Sequence, residues 1–226
     1  MNSSITLTAA DGHEFSAWQA GAQDAPYALI VVQEIFGVNN NIRNVADEFA
    51  AAGFSVLAPA VFDRAQRNVE LGYSPEDVQE GLRLRNEIPL ADTLADLHAC
   101  VQHFRHHAPR RKIGIIGYCW GGTLAWDAAT HTHDLGAAVS WYGGGIAAHK
   151  DATPHCPVQL HFGVEDTSIP HQDVKIIRET HPEVELYVYD DAGHGFGNRD
   201  RSSFNADANR LAWERSVEFL KASLHT

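Results

Sequence analysis

The chain is poor in cysteine, in basic residues and in long apolar runs, and each shortage removes a class of protein. Its cysteines number three in 226 residues, Cys100, Cys119 and Cys156. An odd, dispersed set excludes a disulfide framework and a paired-cysteine zinc site, and Cys100 and Cys156 read as packing residues. Lysine and arginine total 17 against 29 acidic residues, a formal charge of −12. A surface this acidic repels phosphate backbones and anionic lipid, so neither nucleic acid nor a membrane is an expected partner. No stretch approaches the roughly 18 consecutive apolar residues of a membrane span. The opening Met1-Asn-Ser-Ser-Ile-Thr-Leu lacks a basic segment followed by an apolar one, and the expected location is cytoplasmic. What remains is an ordinary globular composition with room for one substantial core, so residues 1–226 are expected to form a single domain.

Apolar periodicity supplies the fold class. Ile5-Thr-Leu-Thr and Glu14-Phe-Ser-Ala-Trp-Gln flank Asp11-Gly12, the pattern of a β-hairpin at a sheet edge. Tyr27-Ala-Leu-Ile-Val-Val-Gln33 is a continuous β-rich run, as in a strand buried on both faces. Asn40 to Ala52 carries Ile42, Val45, Ala46 and Phe49 on one helical face, and Gly53 ends it before the strand Phe54-Ser-Val-Leu-Ala. Asp63 to Gly72 is irregular and polar. Ser74-Pro-Glu-Asp opens a helix, with proline in the first position and acids in the first turn. A second helix runs from Asp92 through Leu94, Leu97, Val101 and Phe104. Strands follow at Gly136–Tyr142, Pro157–Phe162 and Val184–Tyr189, with helices over Pro170–Thr180 and Asn205–Leu224. Alternating strands and helices predict an α/β fold with a mostly parallel, doubly wound sheet.

The most informative stretch is Gly117-Tyr-Cys-Trp-Gly-Gly122, which follows the apolar Lys-Ile-Gly-Ile-Ile and precedes Thr-Leu-Ala-Trp. A sharp strand-to-helix bend needs glycines on both sides of its central residue, because the two backbones pass closely there. Composition alone predicts roughly 0.02 G-x-Cys-x-G matches in a chain of this kind. Cys119 at such a bend sits beside helix N–H groups and the positive end of the helix dipole, which favour a thiolate and any oxyanion formed nearby.

Ligands of such sheets bind past the C-terminal ends of the strands. Four residues lie there: Glu34, Cys119, Asp166 and His194. Nucleophile, acid and histidine in that chain order match an α/β-hydrolase triad. A thiol with a pKa near 8.5 is only a few per cent ionised at neutral pH, so Cys119 requires a base. His194, oriented by Asp166, supplies it, and the N–H of Trp120 meets the oxyanion. His131-Thr-His133-Asp134 has no third ligand in a strand-end position and reads as an exposed helix end, so no metal is expected. Trp126, Trp141 and Trp213 read as core or pocket wall.

Gln33-Glu-Ile-Phe-Gly, Gly117-Tyr-Cys-Trp-Gly-Gly, Trp141-Tyr-Gly, Gly163-x-x-Asp166 and Ala192-Gly-His-Gly-Phe together resemble the dienelactone hydrolase family (carboxymethylenebutenolidases) of the α/β-hydrolases, from Ile5 to Leu224. The resemblance implies hydrolysis of a small lactone or ester through an acyl-thiol intermediate, with no cofactor; the short chain leaves no room for a large cap domain. It puts the second oxyanion N–H at Ile35 and gives Glu34 a part in activating the resting thiol. It also implies arginines that hold a substrate carboxylate. Arg83 and Arg85 are the candidates before the bend. They stand about 200° apart around a helix, so both cannot face one pocket, and Arg85 is preferred. The second family arginine falls on Asn198, with Arg199 and Arg201 beside it. Tyr142 joins Arg83, Arg85 and Arg199 as a candidate substrate-binding residue. A broader carboxylesterase or thioesterase, or a non-catalytic binding protein of the same fold, are the alternatives, as a monomer or small homo-oligomer.

Overall fold

The structure is a computed structural model that describes residues 2–225. The chain divides into two compact units, the first ending at Gly114 and the second running from Ile115 to His225, with the division inside one strand.

In the first unit the hairpin of β1 (Ser3–Thr8) and β2 (Glu14–Ala20) is antiparallel, with Thr8 opposite Glu14. Gly12 takes φ 87° in its turn, a conformation that favours glycine. β3 (Tyr27–Val32) pairs in parallel with β4 (Phe54–Pro59), and β2 pairs antiparallel with β4, giving the order β1-β2-β4-β3. Every residue of β3 after Tyr27 is buried, as its unbroken apolar run requires.

α1 (Asn40–Ala51) starts where the Asn39 side chain accepts the Ile42 N–H, and it buries Ile42, Ala46 and Phe49. α2 (Pro75–Glu87) begins in a capping box: Ser74 Oγ accepts the Asp77 N–H and Asp77 Oδ2 accepts the Ser74 N–H, which satisfies two otherwise unpaired donors. α3 (Leu90–His107) starts two residues before the expected Asp92, with Pro89 as its N-cap. The proline has no N–H to leave unsatisfied, so it tolerates that position. Arg64 ties the hairpin turn to α3, pairing with Asp11 and with the fully buried Asp96, each at 2.6 Å. A 3-10 turn, Val61–Arg64, leads into the irregular segment, which then makes a bridge from Glu70 to Gly37 that holds the loop after β3.

The second unit carries β5 (Ile113–Tyr118, which starts just before the division), α4 (Trp120–His131), β6 (Ala137–Trp141), β7 (Val158–Gly163), α5 (His171–Thr180), β8 (Glu185–Tyr189) and α6 (Ala206–Leu224). Its strand order is β5-β6-β7-β8, and both the β6–β7 and β7–β8 pairs are parallel. β6 stops at Trp141 because Tyr142 turns to φ 43°. All residues of β5, β6 and β7 are buried. Eight mostly parallel strands with flanking helices, and no inserted cap domain among the described residues, make this an α/β-hydrolase fold.

Candidate active site

The bend between β5 and α4 is built as the glycine pattern requires. Cys119 has φ 56° and ψ −120°, a left-handed conformation that costs a residue with a side chain about 1–3 kcal/mol. Backbone hydrogen bonds hold it there. The Cys119 N–H donates to the Trp141 carbonyl (3.0 Å), and the Cys119 carbonyl accepts from Gly122 (2.9 Å) and Thr123 (3.3 Å). A Cβ on Gly117 would lie 1.8 Å from the Gly121 carbonyl oxygen, and one on Gly122 would lie 2.6 Å from Ser140 Oγ. Larger residues would therefore push the strand, the helix and β6 apart. Trp120 is the first residue of α4, so its N–H lies at the positive end of that helix.

Three side chains from separate strand ends meet in a line. His194 Nε2 stands 3.1 Å from Cys119 Sγ, and His194 Nδ1 stands 2.8 Å from Asp166 Oδ2. Asp166 is itself fixed, because its Oδ1 accepts the N–H groups of Ser168 (2.8 Å) and Ile169 (3.2 Å). Its side chain has no exposure, whereas that of His194 keeps 18%, enough to face an incoming ligand. Burial alone would lower the pKa of His194. The hydrogen bond to Asp166 and the contact with Cys119 outweigh it and raise the value from 6.5 to about 10. An acceptor-only carboxylate on Nδ1 keeps one proton there and points Nε2 at sulfur, so a proton taken from the thiol is held on Nε2 in an imidazolium that Asp166 stabilises.

Tyr142, one residue past β6, packs its ring edge-on to the His194 ring at 5.2 Å and is 1% exposed. It forms a wall behind the base. Asn198, at the family's second arginine position, is fully buried, and its Oδ1 accepts the Asp200 N–H at 3.0 Å. Arg199 is exposed. Arg201 is the arginine next to the base: a Cβ on Gly195 would fall 2.6 Å from Arg201 Nη1. Counting from the histidine points to position 198, but the tight turn that bonds the Arg201 N–H to the Asn198 carbonyl brings the Arg201 guanidinium back against Gly195.

In the first unit, Glu34 and Ile35 follow β3, and Glu34 is fully buried. The Ile35 peptide is clamped, since a Cβ on Gly81 of α2 would come 2.0 Å from the Ile35 carbonyl oxygen. Arg83 is exposed and pairs with Glu80 (2.7 Å) and with Glu87 on its own helix. Arg85 is half-buried, and among the described residues its guanidinium makes long contacts to Asn86, at 3.3 and 3.4 Å. Arg85 is thus the less committed of the two guanidinium groups. Cys100 is fully buried and Cys156 partly so, and burial pushes both thiols up, Cys156 to about 11. Trp126 and Trp141 are core and Trp213 is half-buried. His131 ends α4 and hydrogen-bonds the Asp127 carbonyl. Among the described residues no group of three or more His, Cys, Asp or Glu is arranged to hold a metal, and no helix is long and apolar enough to cross a membrane.

The sequence profile of the dienelactone hydrolase family matches residues 15–224. The chain belongs to the dienelactone hydrolase family. Among its relatives is the carboxymethylenebutenolidase of Pseudomonas putida, 30% identical over 224 residues that cover 96% of this chain and 94% of that protein. A candidate carboxymethylenebutenolidase of Synechocystis is 32% identical over 212 residues, 87% of this chain and 86% of the relative. The crystal structure of a candidate dienelactone hydrolase from Klebsiella pneumoniae superposes with a TM-score of 0.81 at 30% identity, covering 97% of this chain and 99% of that one. The Pyrococcus furiosus esterase Pf2001, at 19% identity and a TM-score of 0.71 over 99% of this chain and 93% of its own, shares the fold. As a member of this family the protein is a hydrolase, with a small molecule as its substrate.

Proposed function

We propose that the protein hydrolyses a small lactone or carboxylic ester of the dienelactone type through Cys119, His194 and Asp166, acting as one domain. The observation that supports this most strongly is the line Cys119 Sγ, His194 Nε2, His194 Nδ1, Asp166 Oδ2 at 3.1 and 2.8 Å. His194 takes the thiol proton, and the thiolate attacks the substrate carbonyl carbon. The carbonyl electron pair moves onto oxygen, where the Trp120 N–H stabilises it. Collapse breaks the ester C–O bond, and His194 gives its proton to the leaving oxygen. In a lactone this opens the ring and leaves the new hydroxyl on the same acyl chain. Water, deprotonated by His194, then attacks the acyl-thiol carbonyl, and sulfur leaves as thiolate and recovers the proton. Asp166 stays ionised and stabilises the imidazolium. Within this reading Ile35 N–H is the second oxyanion donor and Glu34 acts on the resting thiol, both by the family motif.

Arg201 supports a substrate carboxylate, because its guanidinium lies against Gly195, next to the base. A second reading, a broader carboxylesterase or thioesterase, is favoured by the buried Asn198 where the family carries an arginine. Steady-state assays on a carboxylated dienelactone, a neutral aryl ester and an acyl thioester separate the two. The first reading predicts preference for the dienelactone, and a KM for it that rises about tenfold in Arg201→Leu while the neutral ester is unaffected. In either case Cys119→Ala removes turnover of every substrate. Retained turnover in Cys119→Ala would overturn the nucleophile assignment.

A further inference from the structure

His161 lies in the middle of β7 with no exposure, and the triad makes no use of it. Its partners determine its state. Gln159 directs one end of its amide to Glu185 Oε2 (2.9 Å) and the other to His161 Nε2 (2.9 Å). A carboxylate only accepts, so the end facing Glu185 is the NH2 and the end facing His161 is the carbonyl. His161 Nε2 therefore carries the hydrogen, and Nδ1 accepts the Tyr189 hydroxyl at 2.8 Å. A second acceptor for Nε2 is Ser216 Oγ at 3.1 Å, and the same oxygen accepts the Trp141 indole N–H at 3.0 Å. The charged groups around this cluster are Glu185 and Arg215, whose guanidinium stands 4.1 Å from the Tyr187 ring centroid and 5.4 Å from that of Tyr189. Burial first, and then Arg215, lower the pKa of His161 to about 3, so it is neutral at physiological pH, with the Nε2 hydrogen as its one ring proton.

Trp141 connects this cluster to the reacting groups. Its carbonyl holds the Cys119 N–H. Its indole stacks on Phe196 with centroids 5.4 Å apart and planes at 21°, and a Cβ on Gly197 would lie 2.5 Å from its Cζ3. One residue thus touches both the backbone of the nucleophile and the loop that carries the base. We infer that His161 is a positioning residue for the triad: with Ser216 it fixes the Trp141 indole, and the indole sets the place of the His194 loop against Cys119. Gln159, Tyr189 and Glu185 keep the imidazole in the one tautomer that can do this. The inference rests on the proposed roles of Cys119 and His194.

Its test uses the full chain with p-nitrophenyl acetate for turnover and iodoacetamide for Cys119 alkylation across pH, on wild type, His161→Phe, His161→Gln and Ser216→Ala. A displacement of His194 by a fraction of an ångström lowers kcat about tenfold or more in His161→Phe and Ser216→Ala and leaves KM within about twofold. It also moves the alkylation profile to higher pH, toward that of an unassisted thiol. The Gln159-facing N–H survives in His161→Gln, which recovers kcat to within about threefold of wild type. If His161→Phe does not fold, Ser216→Ala carries the same test by removing one hydroxyl. Lower thermal stability with unchanged kcat and unchanged alkylation profiles would make the cluster a packing feature and overturn the inference. An inert Cys119 in the wild-type protein would overturn the catalytic reading as well.

Discussion

Two histidines of the second unit, His194 and His161, each follow or lie within a strand and each makes at least two hydrogen bonds, yet their environments drive them in opposite directions. His194 faces a carboxylate on one nitrogen and a thiol on the other, keeps partial exposure, and binds its proton up to about pH 10. His161 faces an amide, a phenol and an alcohol, has no exposure, and stays neutral down to about pH 3. Hydrogen bonding alone therefore does not make a histidine a base. The charge of its partner does, because only an anion compensates the burial of an imidazolium. The same contrast separates a proton-transfer group from a spacer that must never change charge.

The comparison breaks most severely if the carboxylate is neutralised. Asp166→Asn keeps the shape but offers His194 an amide, as His161 has, and can fix the wrong tautomer. It should lower kcat about 10⁴-fold in steady-state assays, and a loss under about tenfold would remove Asp166 from the account. A smaller effect is expected in stability. His161 has a folded pKa below its unfolded value of about 6.5, so the unfolded chain binds the proton first. The protein then loses stability as pH falls below 6.5 toward 3, at up to ~1.4 kcal/mol per pH unit. His161→Gln lacks this component, and urea unfolding at several pH values should show its acid slope to be shallower. His194 has the opposite sign. Its folded pKa is raised, so its contribution is complete below about pH 6.5 and is lost as pH climbs to about 10. The stability difference between wild type and His194→Gln should shrink over that alkaline window.

Much of this was legible in the sequence because it depends on local rules. The glycines flanking Cys119 encode close approach of backbones, and the unbroken apolar run of β3 encodes burial on two faces. Ser74-Pro-Glu-Asp encodes a capped helix start. The order Cys119, Asp166, His194 places three residues at strand ends, and in the structure all three converge. What the sequence concealed depends on how loops fold. Arg201 reaches the residue after the base because a turn over Asn198 returns the chain, whereas residue counting pointed to Asn198, with Arg199 and Arg201 only beside it. The His161 cluster was hidden for another reason. Gln159 and His161 lie two apart on a strand whose six residues are all buried, and Tyr187 and Tyr189 lie two apart on β8. Paired polar positions on a buried strand are the signal that was available, and an apolar-run reading passes over it. The departure of Tyr142 from β6 into a left-handed conformation has no marker in its residue type.

The most direct test of the central claim is the mass of the intact protein, acid-quenched during turnover of p-nitrophenyl acetate and mapped by peptide digestion. The account predicts one acetyl group, on Cys119, in wild type and none at any residue in Cys119→Ala. Acetyl on a different residue, or turnover by Cys119→Ala without any adduct, would contradict it.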